Sequence, residues 1–200
     1  MIISHKYKFV YIHIPKTGGT FVEHLLLALD KDAINLITNG CGHQHFSFIK
    51  QMEIYDKIKN YTFFTIIINP IHKLISWYNY HGFKNYDSFL SMICDEDFNK
   101  NCHLDFINYY TLDQHDIAND PKIILIKLEN LKEQLIILFK QLNIDISIID
   151  FDSFFEKKIN ESVKLFTVED LKQNNEMSNK IKNKILNNPE IMLDLYYYNL

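Results

Sequence analysis

Apolar positions along this 200-residue chain change period several times. Phe9–Ile14 is a short β-prone run that ends at Pro15. Thr62–Ile68 is a continuous apolar, β-branched run, the pattern of a strand buried on both faces, and Lys122–Lys127 is a similar run. Helical spacing predicts a helix over Thr20–Leu29. It predicts others over Ser47–Ile58, where Phe48, Ile49, Met52 and Tyr55 share a face, over Pro70–Tyr80, and over the amphipathic segment Leu131–Leu142. The last fifty residues read as mostly helical, with a polar stretch at Lys180–Asn187. Alternation of strands and helices predicts an α/β fold with a central parallel sheet flanked by helices and a helical C-terminal portion. No repeat or Pro/Ser-rich linker interrupts it, so residues 1–200 are read as one domain.

Composition sharpens this picture. With 47% hydrophobic and 23% charged residues, the chain buries a sizeable core. A net charge of −4 argues against a nucleic-acid surface. No run approaches the length of a membrane span, and the apolar part of Met1–Ile14 is too short for a signal peptide. Three cysteines, at 41, 94 and 102, form neither a disulfide framework nor a zinc spacing. The expectation is a soluble, cytoplasmic protein without metal. All 21 positive side chains are lysines. With 30 Ile and 20 Asn against 3 Ala, this fits an A/T-rich genome, of a bacterium, a protist or a giant virus. It also removes the guanidinium fork from every anion site.

Three constellations carry candidate chemistry. In the first, the Phe9–Ile14 run passes through Pro15-Lys16-Thr17-Gly18-Gly19-Thr20 into a helix. Gly18 and Gly19 permit positive φ and close backbone approach. The helix start offers unpaired N–H groups, and Lys16 adds a full charge beside them. Lysine stands before the glycines rather than after them, unlike a Walker A loop, which argues against an ordinary ATPase or kinase. The bland alternative is a tight turn followed by a capping box, with Thr20 as N-cap and Glu23 three residues on. In the second, Asn69 is a good N-cap and Pro70 a good first helical residue. Asn69, Lys73, Ser76 and Tyr80 then share one stripe, which periodicity alone reads as a solvated face. In the third, His43 and His45 lie in the flexible stretch Gly40–Phe46, where imidazole is a candidate general base and a surface residue is the plain alternative.

In this order the pieces resemble the carbohydrate sulfotransferase family, in the branch that includes heparan- and chondroitin-type enzymes and many bacterial relatives. Tyr11-Ile-His-Ile-Pro-Lys-Thr-Gly-Gly-Thr-Phe21 is similar to that branch's 5′-phosphosulfate loop. Gly42-His43 with Ile49 resembles the segment carrying its base, and Asn69-Pro70, Lys73, Ser76, Trp77 and Tyr78 its 3′-phosphate motif. Leu128–Leu131, Asn160–Ser162 and Leu193–Tyr198 are later echoes. The resemblance implies a P-loop-like three-layer fold that binds 3′-phosphoadenosine 5′-phosphosulfate, transfers its sulfuryl group to a hydroxyl of a carbohydrate or small acceptor, and needs no metal. By position it implies donor contacts from Lys16, Thr17, Gly18, Gly19, Thr20 and Phe21, and 3′-phosphate contacts from Asn69, Lys73 and Ser76. Lys16 would also stabilise the leaving phosphate, and His43 would be the base, with His45 in reserve. One position departs from the family: Ile68 stands where an arginine normally precedes the Asn/Asp-Pro pair. A charge-assisted hydrogen bond of about 1.5–3 kcal/mol is thereby lost. Lys73 is the first candidate to replace it and Lys164 the second. The loss admits a second reading, a non-catalytic nucleotide-binding protein on the same fold. A kinase with an unusual loop is a third, without a convincing Mg²⁺ carboxylate after the Thr62–Ile68 strand. Residues 82–120, including His103, are the candidate acceptor side.

Overall fold

The computed structural model describes residues 1–36, 50, 52–69, 72, 73, 75, 76, 79, 122–156 and 179. The chain divides into two compact units, one made of residues 1–68 and 116–160, the other of residues 69–115 and 161–200.

The first unit is built on a five-stranded sheet. Its strands are β1 (Ile2–Ser4), β2 (Phe9–Ile12), β3 (Ile34–Asn35), β4 (Thr62–Ile67) and β5 (Ile123–Lys127), in the order β3-β1-β2-β4-β5. β2, β4 and β5 run parallel, with Val10 opposite Phe63 and Thr65 opposite Leu125. β1 pairs antiparallel with both β2 and β3. The sheet is therefore mixed: β2, β4 and β5 form the parallel part that the sequence pattern predicts, and β1 and β3 add an antiparallel part to it. β1 and β3 span three and two residues, too short to show a period.

Both faces of the sheet are covered, which explains the unbroken apolar runs. Alternation along β2 sends Phe9 and Tyr11 to one core, and Val10 and Ile12 to the other. The first core is closed by α1 (Gly19–Leu29), α3 (Leu131–Gln141) and α4 (Phe151–Glu156). Helix α1 contributes Val22, Leu25, Leu26 and Leu29, spaced at i, i+3, i+4 and i+7. The second core is closed by α2 (Tyr55–Ile58), through Tyr55 and Ile58. Of the helix expected over 47–58, only Tyr55–Ile58 is helical; residues 50 and 52–54 are turn and bend, and residues 47–49 and 51 lie outside the described residues.

In the second unit, residues 72, 73, 75, 76 and 79 are helical. The Lys73 N–H donates to the Asn69 carbonyl at 3.0 Å, which puts Asn69 at the start of this helix as its cap residue. Residue 179 is helical too.

Candidate functional site

The turn between β2 and α1 is set by two left-handed residues. Gly18 has φ 79° and is the N-cap of α1, without a side-chain cap. Lys16 has φ 64°, a conformation that a lysine adopts only at a cost. Left-handed residues on both sides of Thr17 give the alternating backbone from which a nest, an anion-accepting turn of successive N–H groups, is built. Thr17 is buried, and its hydroxyl donates to the Ile14 carbonyl at 2.8 Å, which anchors the turn to the strand end. Phe21 N–H donates to the Gly18 carbonyl at 3.1 Å, and the Phe21 ring packs edge-on against Phe155, centroids 4.9 Å apart. The N–H groups of residues 17 to 20 make no hydrogen bond of ordinary geometry among the described residues. Those of Gly18, Gly19 and Thr20 are orphan donors of the helix start, and that of Thr17 lies just before them.

The two glycines do different work. Gly18 supplies the left-handed turn; a Cβ there would meet Leu128 Cδ1 at 2.9 Å, a movable side-chain tip. Gly19 supplies space: a Cβ there would overlap the His13 ring. Only Gly18 carries the positive φ that the sequence allows at both; the second left-handed residue is Lys16.

The capping box does not form. Thr20 lies inside α1, and the Glu23 carboxylate instead stands 2.9 Å from His13 Nδ1, an ion-pair separation without hydrogen-bond angles. The Met1 amino group is 3.7 Å from the same oxygen. Tyr11 stacks on His13 at 6.1 Å and is fully buried. Burial, and then the negative charge of Glu23, push the Tyr11 hydroxyl's pKa well above its ordinary value. That hydroxyl has no hydrogen-bond partner among the described residues. Tyr11→Phe removes an unsatisfied buried group and is expected to stabilise the protein by about 1 kcal/mol, read as a higher Tm.

Lys16 is half-buried, and desolvation lowers its pKa from 10.5. The sign of the consequence differs for binding and for stability. As pH rises through the lowered folded value, the ammonium is lost and anion binding weakens. Between that value and the unfolded 10.5 the unfolded chain holds more protons, so the ligand-free protein gains stability with pH. Taken as the difference between wild type and Lys16→Met, which cancels the opposing alkaline contribution of Tyr11, ligand affinity should therefore fall and Tm rise across this window.

Leu128, the side chain beside Gly18, also lines a shallow cleft of about 290 Å³ at the carboxyl end of β5, with Leu131, Lys132 and Phe155. Among the described residues, no three His, Cys, Asp or Glu side chains group as metal ligands.

In the second unit, Lys73 is only 4% exposed, so it is not the solvated position that periodicity alone suggests. Ser76 and Asn69 are half-buried. Ile68, which ends the first unit, is 7% exposed and counts with the core. His43, His45, His103, Lys164, Pro70, Trp77 and the whole of 82–120 lie outside the described residues. Sequence reasoning missed His13 and Glu23. The available signal was the period of two along Phe9, Tyr11 and His13, which puts the histidine on the α1 side of the sheet.

A family model described as the sulfotransferase family matches residues 1–199. No curated protein and no solved structure matches the chain.

Proposed function

The chain belongs to the sulfotransferase family, and from that premise we propose that it moves a sulfuryl group from 3′-phosphoadenosine 5′-phosphosulfate to a hydroxyl of a carbohydrate or small neutral acceptor. The observation that carries the reading is the turn at Lys16–Thr20. Its left-handed residues, its uncommitted N–H groups and its half-buried ammonium suit a phosphosulfate.

The donor supplies an activated sulfuryl group. Lys16 holds positive charge where negative charge builds on the leaving phosphate, and the N–H groups of residues 17 to 20 hold the same end in line for transfer. Phe21 supports the turn through its contact with Phe155. Asn69, Lys73 and Ser76 are assigned to the 3′ phosphate on their order along the chain, with Lys73 as the point charge in place of an arginine. His43 is assigned as the base that takes the acceptor proton, with His45 in reserve. A net charge of −4 favours a neutral acceptor over a polyanionic glycan.

The test is transfer of labelled sulfate from the donor to a panel of glycans and small alcohols. His43→Ala is expected to lower kcat by about 100-fold or more while leaving adenosine 3′,5′-bisphosphate affinity within about twofold. Equal turnover in wild type and variant would remove His43 from the mechanism.

Ile68 supports a second reading, a nucleotide-binding protein that does not turn over. An apolar side chain in the core offers a phosphate nothing. On that reading the bisphosphate binds through Lys16 and no acceptor is sulfated. Loss of the arginine bond alone corresponds to about a ten- to hundredfold weaker 3′-phosphate contribution. Comparing the bisphosphate with adenosine 5′-monophosphate measures how much of it Lys73 restores.

A further inference from the structure

We propose that His13 and Glu23 are positioning residues for the anion loop, forming a strut that fixes where Gly19 and its N–H group stand. The proposal rests on the reading of residues 16–20 as the donor's site, and it adds two residues that make no contact with the donor. Gly19 and Glu23 are four residues apart on α1, hence on one face of the helix. The His13 ring spans them. Its Nδ1 edge stands 2.9 Å from Glu23 Oε1, and its Cδ2–Nε2 edge lies against the Cα of Gly19, where a Cβ would overlap it. The ring is held from behind by Tyr11, stacked at 6.1 Å, which itself packs on Phe64 at 5.2 Å. Both strut side chains are largely buried, with side-chain exposures of 6% and 15%.

The geometry answers two questions that the loop by itself does not. Glycine is required at 19 although its φ is not left-handed, because the ring occupies the space of a side chain. Glu23, placed to complete a capping box, turns from the helix start because the histidine at the end of β2 takes its carboxylate. The strut thus joins the end of a central strand to the first turn of α1, and the nest lies between these two points. A donor site needs its groups held to within about half an ångström, and the side chains that hold them need locked rotamers.

The experiment measures backbone ¹⁵N order parameters on the ligand-free protein, then bisphosphate affinity by calorimetry. In His13→Ala the order parameters of residues 16 to 20 are expected to fall from about 0.85 to below about 0.6, while those of β4 and β5 stay near 0.85. Affinity is expected to weaken by about tenfold in the folded variant. His13→Asn, whose amide can take the Nδ1 position, is expected to recover part of both. Glu23→Gln, which keeps the side chain's size, serves if His13→Ala does not fold, and is expected to loosen the loop in the same direction. Rigid loop residues in a folded variant would overturn the proposal. So would an equal loosening of β4 and β5, which marks a merely structural role. If wild type fails to bind the bisphosphate, the donor reading fails, and the order parameters still decide the strut.

Discussion

Lys16→Gly is expected to give a protein that is more stable than wild type and inactive. The lysine pays twice for its place. Its backbone is left-handed at φ 64°, where a residue with a Cβ is strained by about 1 kcal/mol and glycine is not. Its ammonium is half-buried, and desolvation lowers its pKa. Glycine relieves the backbone strain, and relief of about 1 kcal/mol raises Tm by about 2–4 °C in a protein of this size. Function moves the other way. Removing one preorganised charge or donor from a transition state costs about 100- to 1,000-fold in kcat. Lys16→Met separates the two effects, since it loses the charge and keeps the strain. Differential scanning calorimetry and the labelled-sulfate assay on the pair measure them. Transfer retained in Lys16→Gly would show that the loop does not carry the chemistry.

The second large effect concerns the neighbouring glycines, and its order is the reverse of what backbone angles alone suggest. Gly18→Ala places a Cβ at φ 79° against a Leu128 methyl that can rotate away, at a cost of about 1 kcal/mol. Gly19→Ala has an ordinary φ but drives a methyl into the His13 ring. That ring cannot yield easily, since Tyr11 stacks on it and Glu23 stands at its Nδ1. Overpacking of this kind costs about 1–3 kcal/mol and displaces the loop. Gly19→Ala is therefore expected to be the less stable variant by chemical denaturation, and to bind the bisphosphate more weakly. Gly18→Ala as the more damaged of the two would remove the His13 contact from the account.

The sequence made β2 and β4 legible because strands buried on both faces are apolar at nearly every position, and β5 legible by its run of isoleucine and leucine, although Ile124 is exposed. It made α1 and α3 legible because each buries one stripe. It concealed the antiparallel edge, since β1 and β3 are too short to repeat anything. At the loop, residue types were readable and conformations were not. Two adjacent glycines advertise flexibility, yet one serves φ and the other serves space, and the second left-handed residue is a lysine. Thr20-x-x-Glu23 satisfies the capping pattern, but the pattern does not know that His13 stands within reach of the carboxylate. Periodicity likewise places Lys73 on a polar stripe, and burial shows that polarity there does not mean solvent. The family motif order added what local physics lacks, an assignment for His43 and for Asn69, Lys73 and Ser76.

The central claim is that the Lys16–Thr20 turn holds the 5′ end of the sulfuryl donor. Titration of ¹⁵N-labelled protein with adenosine 3′,5′-bisphosphate, followed by amide chemical shifts, tests it most directly. The N–H groups of residues 17 to 20 are expected to show the largest shifts, moving downfield as they gain an anionic acceptor, and Lys16→Met is expected to abolish them. Saturable binding that leaves residues 17 to 20 unshifted would contradict the claim.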